Sequence, residues 1–301
     1  ASFALLAYAS AYLKCHYLAA FTAAILNNQP MGFYHPATLV KDAQRHGLRF
    51  NPIDVVHSQW ECAIEPDKSV RLGFNYLKGL RREIAECIIE ERTRKPFAGI
   101  RDLVRRVPGI RKEELNALAQ AGALNSIGAD HRRTALWQAE LAARPVGELL
   151  EPAAIDDPSP LALMKPGERL LADYRATGLT IGMHPMRLHR DAMNRRGVTP
   201  AVRLARVPNG AVVRIAGSVI CRQRPGTASG FVFVSLEDET GISNAIVEPD
   251  LFRAQRLVIV EEPFLLIEGV LQNQRGAVSV KASRVEGLRV ESAASVSHDF
   301  H

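Results

Sequence analysis

The first half of the chain spaces its apolar residues three or four positions apart, which is the periodicity of helices. Residues 3–27 are apolar almost throughout and predict a helix that bends near Lys14 and ends before Pro30. Because a charged lysine at the centre of a bilayer would cost roughly 2.5–3.5 kcal/mol, we expect a buried helix pair and no membrane insertion. The next predicted helix runs from Pro36 to a C-cap at Gly47.

Shorter helices follow, separated by residues that end helices. The apolar spacing predicts them over residues 76–94, 100–107, 112–121 and 132–143. Ahead of them, residues 62–65 and 69–74 flank a Pro-Asp pair and predict a short hairpin. A proline-rich stretch, residues 145–168, predicts a linker or a segment that lies along a surface. Short helices are then predicted over residues 168–176 and 187–196.

From Ala211 onward the apolar residues alternate with polar ones, which predicts strands instead of helices. The predicted strands cover residues 212–223, 230–237, 242–247, 263–273 and 277–285. A short helix fits residues 249–257, between the third and fourth strands. Five strands with one helix after the third is the element order of an OB-fold barrel.

Three neighbouring acids, Glu237, Asp238 and Glu239, follow the second predicted strand. A catalytic or metal site would require a pocket, shifted pKa values and further ligands, and no histidine or second acidic cluster lies nearby in the sequence. Gly241 supplies the left-handed conformation that a tight hairpin needs. We therefore expect these acids to form the solvated tip of a β-hairpin.

The composition favours a polyanionic partner. The chain has 301 residues and a formal net charge of +6, and 47% of its residues are hydrophobic, enough for two or three packed domains. Its four cysteines form no C-x-x-C pair, which argues against structural zinc and favours a reducing cytoplasm. His184 and His189 lie five positions apart and do not share a helix face, so no metal site is predicted.

Positive charge is concentrated in two segments. Residues 71–144 hold fifteen Lys or Arg against nine acids, and residues 187–224 hold nine against one, whereas residues 145–173 hold two against six. This segregation favours two surfaces that face phosphates over random scatter. For any single arginine, a solvated side chain without a ligand remains the simpler interpretation.

The first basic segment contains Val107-Pro108-Gly109-Ile110 between two short predicted helices, which is the pattern of a helix-hairpin-helix motif. Backbone N–H groups at the start of the second helix can hold a phosphate. An ordinary turn with a solvated basic face fits the same residues equally well. The candidate DNA-contacting residues of this segment are Lys78, Arg81, Arg82, Arg105, Arg106, Gly109, Arg111 and Lys112.

The second basic segment leads into the predicted barrel. Arg222 and Arg224 are candidate phosphate contacts, and Phe231 and Phe233 could stack bases on the face of the second strand. Both phenylalanines point to the same side of that strand, so they could instead belong to the core. A stacking platform and a mainly electrostatic groove therefore both remain open.

Five stretches of the sequence resemble segments of bacterial C-family (DnaE-type) DNA polymerases, and best the error-prone, mutasome-associated branch. The family's OB-fold is resembled by PGTASGFVFVSLEDETGISNAIVEPDLF. The end of its fingers domain is resembled by ASFALLAYASAYLKCHYLAAFTAAILNNQPMGFYHPATLVKDAQRHG, and the segment that follows by VRLGFNYLKGLRREIAECIIEER. Its helix-hairpin-helix region and its G-x-H-P segment are resembled by FAGIRDLVRRVPGIRKEELNALAQAGALNSIG and TGLTIGMHPMRLHR.

The resemblance implies an α+β multidomain chain in which helical fingers and a helix-hairpin-helix region precede a five-stranded OB-fold β-barrel. The expected regions are the C-terminal part of the fingers domain (1–75), the helix-hairpin-helix DNA-binding region (76–144), a linker with short helices (145–210), the OB-fold (211–288) and a C-terminal tail (289–301).

The resemblance also implies a role: the C-terminal, DNA-positioning and partner-docking part of an error-prone DNA polymerase that acts in damage-induced translesion synthesis. The family's PHP domain, and its palm with the aspartates that bind two Mg²⁺, match no stretch of this chain. The chain is therefore expected to lack catalytic residues and a cofactor of its own and to be inactive alone, whereas the parent polymerase requires Mg²⁺.

The implied partners are duplex DNA at the helix-hairpin-helix, single-stranded template at the barrel, and a mutasome accessory protein that bridges to the sliding clamp. The implied location is the cytoplasm, without membrane attachment. Two alternatives remain: a stand-alone OB protein that binds single-stranded nucleic acid, and a protein scaffold that does not contact DNA.

Overall fold

A computed structural model of the chain describes residues 2–31, 34–129, 131–142, 161–274 and 276–290, and the backbone of residues 298–300. The chain forms two compact units. We call them the helical unit, which comprises Ala1–Gln29 and Gly47–Ile181, and the barrel unit, which comprises Pro30–His46 and Gly182–His301. Residues 1–75, expected to form one region, are therefore divided between the two units. Of the expected linker region, residues 145–160 lie outside the described residues.

The helices, in chain order, are α1 (Ser2–His16), α2 (Leu18–Asn27), α3 (Pro36–Arg45), α4 (Arg82–Arg94), α5 (Ile100–Arg106), α6 (Lys112–Ala121), α7 (Arg132–Ala142), α8 (Pro166–Thr177), α9 (Pro185–Arg195), α10 (Pro249–Ala254) and α11 (Arg256–Glu261). Short 3₁₀ helices occupy Phe74–Tyr76, Asn125–Ile127 and Ala201–Arg206. Within the described ranges, no helix combines the length and the apolar character that crossing a membrane requires.

The strands are β1 (Phe50–Asn51), β2 (Ala63–Ile64), β3 (Val70–Arg71), β4 (Val212–Gln223), β5 (Val232–Glu237), β6 (Ile242–Val247), β7 (Phe264–Gln274), β8 (Ala277–Gly287) and β9 (His298–Phe300). In the helical unit, β2 and β3 pair antiparallel, which confirms the short predicted hairpin, and β1 joins β3 in parallel.

The first apolar stretch forms two helices that meet at Tyr17, close to the predicted bend. The expectation that both are buried is wrong for α1 in the described chain: none of its residues is buried, and Phe3 is 86% exposed. In contrast, α2 buries Ala23 and Leu26. At the end of α2, the Asn27 side chain exchanges two hydrogen bonds with the backbone of Cys62, at 2.9 and 2.8 Å, and so fixes this helix to the β2 segment.

The barrel unit contains the predicted OB-fold. Its strands pair in the order β4-β5-β6-β8-β7, and β7 returns to β4 to close the barrel. All these pairs are antiparallel except β6 with β8, which is parallel. The predicted helix after the third strand is present as α10 and α11. The backbone of β9 adds to β4 in parallel along Cys221–Gln223.

The alternation along β5 decides which phenylalanine face is core. Val232, Val234 and Leu236 are at most 3% exposed and pack in the barrel interior. Phe233 lies on the opposite face and is 37% exposed, and Phe231, just before β5, is half-buried. The interpretation of these two phenylalanines as core residues is therefore wrong, and Phe231→Ala is not expected to unfold the barrel.

Barrel closure requires the backbones of β4 and β5 to approach closely at Gly217. A Cβ atom placed on Gly217 would lie 2.5 Å from the carbonyl oxygen of Glu237, which is closer than such contacts occur in proteins. The outer surface of the barrel near this point is covered by α9, whose Met186 and Met193 pack with Phe264 and Leu266.

Glu237 ends β5, and Asp238 and Glu239 occupy the hairpin turn that follows it, but the expectation that these acids are solvated is wrong. Asp238 is 3% exposed, and its carboxylate accepts hydrogen bonds from the N–H groups of Thr240, Gly241 and Ala201. Arg190 of α9 donates to both Asp238, at 3.0 Å, and Glu239, at 2.5 Å. The turn is thus held by a guanidinium 48 residues away in the sequence.

Glu237 is buried as completely as Asp238 and contacts residues from α3 and from the start of α9. Its carboxylate accepts a 2.8 Å hydrogen bond from Arg45 of α3 and lies 3.8 Å from the His184 ring, which caps α9 by accepting the N–H of Met186. Burial raises the pKa of Glu237 to about 7, although Arg45 opposes the rise. Burial, with the nearby charges of Lys41 and Arg45, lowers the pKa of His184 to about 3, so this ring is neutral. The acids therefore fasten α3 and α9 to the barrel.

Gly217→Ala is expected to destabilise the barrel by about 1–3 kcal/mol, because its methyl group would push β4 away from β5. Gly226→Ala is the matched control, since Gly226 lies in the β4–β5 connection with open space around its Cβ position. Thermal unfolding of the two variants checks this. Equal melting temperatures would contradict a close approach at Gly217.

Glu237→Gln is expected to change how stability depends on pH. Between the unfolded pKa near 4.5 and the folded pKa near 7, the native carboxyl holds a proton that the unfolded one releases. The wild-type protein should therefore gain stability relative to the glutamine variant as pH falls from 8 to 4.5, by roughly 3 kcal/mol, and lose it as pH rises through 7. Urea unfolding across this pH range measures the difference, and a difference that does not change with pH would refute burial of this carboxyl.

Candidate nucleic-acid interface

The predicted helix-hairpin-helix turn is present in the helical unit. Helix α5 ends at the buried Val107, and α6 begins at Lys112. Between them, Gly109 is exposed and has φ +82°, a left-handed conformation that an L side chain rarely adopts. The turn is closed by a hydrogen bond from the Ile110 N–H to the Val107 carbonyl oxygen, at 3.4 Å. The backbone at the start of α6 is thereby exposed next to basic side chains.

A buried acid, Glu114, orders this turn. Its carboxylate accepts hydrogen bonds from the N–H groups of Arg111 and Arg81, at 2.9 and 3.0 Å, and binds the Arg81 guanidinium with both oxygens. Burial alone would raise the pKa of Glu114, but these hydrogen bonds outweigh it and lower the pKa to about 2. Glu114 therefore stays ionised at any physiological pH and holds α6 against the start of α4.

Two of the predicted DNA contacts are engaged inside the helical unit. Arg81 also donates to the Gly109 carbonyl oxygen at 2.7 Å, so its guanidinium fixes the turn from within. Arg106 has 15% of its side chain exposed, pairs with Asp102 and Glu91, and stacks on the Phe97 ring at 4.7 Å. Both arginines position the motif and have their donors largely occupied.

The remaining candidates of this segment lie at the surface: Lys78, Arg82, Arg105, Gly109, Arg111 and Lys112 are all exposed. Several of them make exposed ion pairs, such as Arg105 with Asp102 and Lys112 with Glu140. Exposed pairs of this kind contribute little to stability and can exchange for a phosphate. At the exposed Gly109 turn itself, the basic candidates are Arg111 and Lys112.

On the barrel, the two predicted arginines differ in exposure. Arg224 is exposed and lies over the Phe252 ring at 5.2 Å. Arg222 is only 7% exposed, and its guanidinium donates to the carbonyl oxygens of Ile259 and Glu262. The prediction that Arg222 contacts a phosphate is therefore corrected: this residue ties β4 to the end of α11.

The outer face of the barrel carries a row of cross-strand neighbours that sequence reasoning missed. Gln223 of β4 pairs with Phe233 of β5, which pairs with Ile246 of β6, which in turn pairs with Lys281 of β8. Next to this row, the Ser235 hydroxyl donates to Asn244 across the strands at 2.8 Å. The face offers an aromatic ring, an amide, a hydroxyl and a cation, which suits the edges and phosphates of unstacked nucleotides.

Only Phe233 of this row was a candidate beforehand. The other members could be found only from the barrel register, because these cross-strand neighbours lie 10, 13 and 35 residues apart in the sequence. Among the described residues, no three His, Cys, Asp or Glu side chains are grouped so that they could hold a metal ion.

Two family models match the chain, and both coincide with these surfaces. A helix-hairpin-helix motif model matches residues 47–135, which include the Gly109 turn. A model of an OB-fold nucleic acid binding domain matches residues 213–288, which form the barrel.

Curated relatives match almost the entire chain. The chain is 42% identical to an error-prone DNA polymerase of Methylococcus capsulatus over 96% of its length, and 44% identical to those of Bordetella parapertussis and Azoarcus sp. over its full length. It spans only 29%, 30% and 29% of these three relatives. By sequence, therefore, the chain belongs to the error-prone DNA polymerases, of which it represents a segment of about 30% of the full length.

Proposed function

We propose that the chain is the DNA-positioning part of an error-prone DNA polymerase whose whole chain carries out DNA-templated nucleotidyl transfer in damage-induced translesion synthesis. The observation that carries this proposal is that the whole of this chain matches a part of error-prone DNA polymerases. The carboxylates that hold catalytic Mg²⁺ would lie in the rest of the polymerase, and the segment alone would not incorporate nucleotides. We further propose that it is cytoplasmic and that an accessory protein connects the polymerase to the sliding clamp.

The helix-hairpin-helix turn is the proposed contact for duplex DNA. The first N–H groups of an α-helix have no partners within the helix, and at an exposed helix start such as that of α6 they can bind a phosphate oxygen. Arg111 and Lys112 are exposed at the same place and add positive charge. Contacts of this type fix the position of a duplex without reading its sequence, which is what a polymerase requires of a DNA-holding element.

The outer face of β5 and β6 is the proposed contact for single-stranded template. Phe233 supplies an exposed ring on which a base can stack, a contact worth about 1–3 kcal/mol that tolerates any base. Arg224 and Lys281 supply charge for the backbone. Stacking and electrostatic attraction would therefore act together, and the two contributions differ in their response to salt.

Replacing Arg111 and Lys112 together with alanine is expected to weaken binding to a blunt duplex, because two phosphate contacts are lost. The slope of log affinity against log salt should fall by about 1.8 in magnitude, or about 0.9 for each phosphate. Fluorescence anisotropy at four salt concentrations measures the slope, and the melting temperature should stay near the wild-type value.

The matched control replaces Arg253 and Arg256, which are exposed on α10 and α11, and removes the same charge from the barrel unit. This control should leave duplex affinity close to that of the wild type. Equal weakening by both double variants would mean that net charge, and not the turn, determines duplex binding.

Phe233→Ala is expected to weaken binding of a single-stranded oligonucleotide by about tenfold without changing the salt slope, because the lost stacking contact carries no charge. Leu257→Ala, which removes another exposed apolar side chain from the barrel unit, is the control. Arg224→Ala should instead reduce the slope by about 0.7. If the wild-type chain binds no oligonucleotide even at low salt, the scaffold alternative is favoured.

A further inference from the structure

A cavity of about 330 Å³ lies in the barrel unit, beside the buried acids of the hairpin. Its walls come from α3, from the residues that precede α9 and from the first turn of α9. It contains neither the Gly109 turn nor the Phe233 row. The side chains that determine its chemistry are Lys41, Arg45, His184, Arg187 and Glu239.

The wall of this cavity is positively charged. Lys41 is 6% exposed, and its ammonium donates to the Gly182 carbonyl oxygen at 2.5 Å and to the Gln44 side chain at 2.9 Å, which fixes its position. Arg45 is also largely buried, at 21% side-chain exposure. Lys41 is held by these hydrogen bonds and Arg45 by its 2.8 Å ion pair with Glu237, so both side chains are in place before any ligand arrives.

One acid, Glu239, also contributes to the wall, but its charge is offset. Both of its oxygens accept hydrogen bonds from Arg190, at 2.5 and 2.9 Å. The His184 ring is neutral, because burial lowers its pKa to about 3, so it neither adds nor removes charge. Glu237 is paired with Arg45 at 2.8 Å in the same way, so the two acids are offset by Arg190 and Arg45, and Lys41 and Arg187 add positive charge to the cavity.

Arg187 completes the wall from the exposed side. Within the described part of the chain, its guanidinium makes no hydrogen bond or ion pair, although it stands on the first turn of an ordered helix. The N–H groups of Met186 and Arg187 are already bonded to His184, so the side chains, and not the start of α9, would recognise a ligand. An exposed guanidinium above fixed cations is an arrangement that suits a phosphate group.

We propose that this cavity is a phosphate-binding site, separate from the helix-hairpin-helix turn and from the barrel face. Arg187 binds the phosphate oxygens directly, and Lys41 supplies a fixed positive charge behind them. The phosphate belongs either to a nucleic-acid backbone or to a free polyphosphate such as that of a nucleotide. The site does not depend on the proposed function, because a basic cavity can bind polyphosphate whether or not the two DNA surfaces bind DNA.

Isothermal titration of the whole chain with inorganic pyrophosphate, at constant ionic strength, tests the site. We expect saturable binding at one site, weakened about fivefold or more by Arg187→Ala, since one unit charge near an anion changes affinity by that factor even at the dielectric constant of water. Arg187→Glu should abolish binding. The matched control is Arg195→Ala, which removes an exposed arginine of the same helix that does not line the cavity.

A second measurement identifies the source of the phosphate. If Arg187→Ala also weakens single-stranded oligonucleotide binding and pyrophosphate competes with the oligonucleotide, the ligand is a nucleic-acid backbone. If the variant loses pyrophosphate binding but binds the oligonucleotide as the wild type does, the ligand is a free polyphosphate. Absence of saturable pyrophosphate binding, or equal weakening by Arg187→Ala and Arg195→Ala, overturns the proposal even if DNA binds elsewhere on the chain.

Discussion

Burial of two consecutive carboxylates, Glu237 and Asp238, is the constraint on which the barrel unit depends. A carboxylate removed from water must be protonated or be matched by cations and hydrogen-bond donors. Here the donors are Arg45 of α3 and Arg190 of α9, together with backbone N–H groups of the turn itself. The hairpin, α3 and α9 therefore form one electrostatic assembly, and the cationic cavity lies directly beside it.

The helical unit also buries an ion-paired acid, next to its Gly109 turn. Glu114 is buried, binds Arg81 with both oxygens and accepts two backbone N–H groups, which keeps it charged. In both units, a buried acid forms an ion pair with an arginine, and that arginine is then not available to a ligand, whereas other basic groups remain at the surface. The number of arginines in a basic protein therefore overstates the number that are available to phosphates.

The sequence predicted the elements well, because their signals are local. The strands of the barrel and the Gly109 turn follow from alternation and from glycine chemistry over a few residues. The environment of Glu237 and Arg222 could not be predicted in this way, because the partners of Glu237 are 192 and 53 residues away and those of Arg222 are 37 and 40 residues away. The sequence could not predict which side of β5 faces the barrel interior, because the phenylalanines on one side and the valines on the other are all apolar. Only the strand order identifies the interior side.

The position of α3 in the barrel unit has a consequence for modularity. The OB-fold that a family model delimits, residues 213–288, contains the buried acids but neither of the arginines that neutralise them. Even a continuous piece that begins at Gly182 would lack Arg45. Residues 30–46 belong to the barrel unit but are separated from Gly182 by residues 47–181 of the helical unit. Recombination could therefore not transfer this barrel with all its partners as one continuous segment. A lineage that exchanged it would have to exchange a second, distant segment as well.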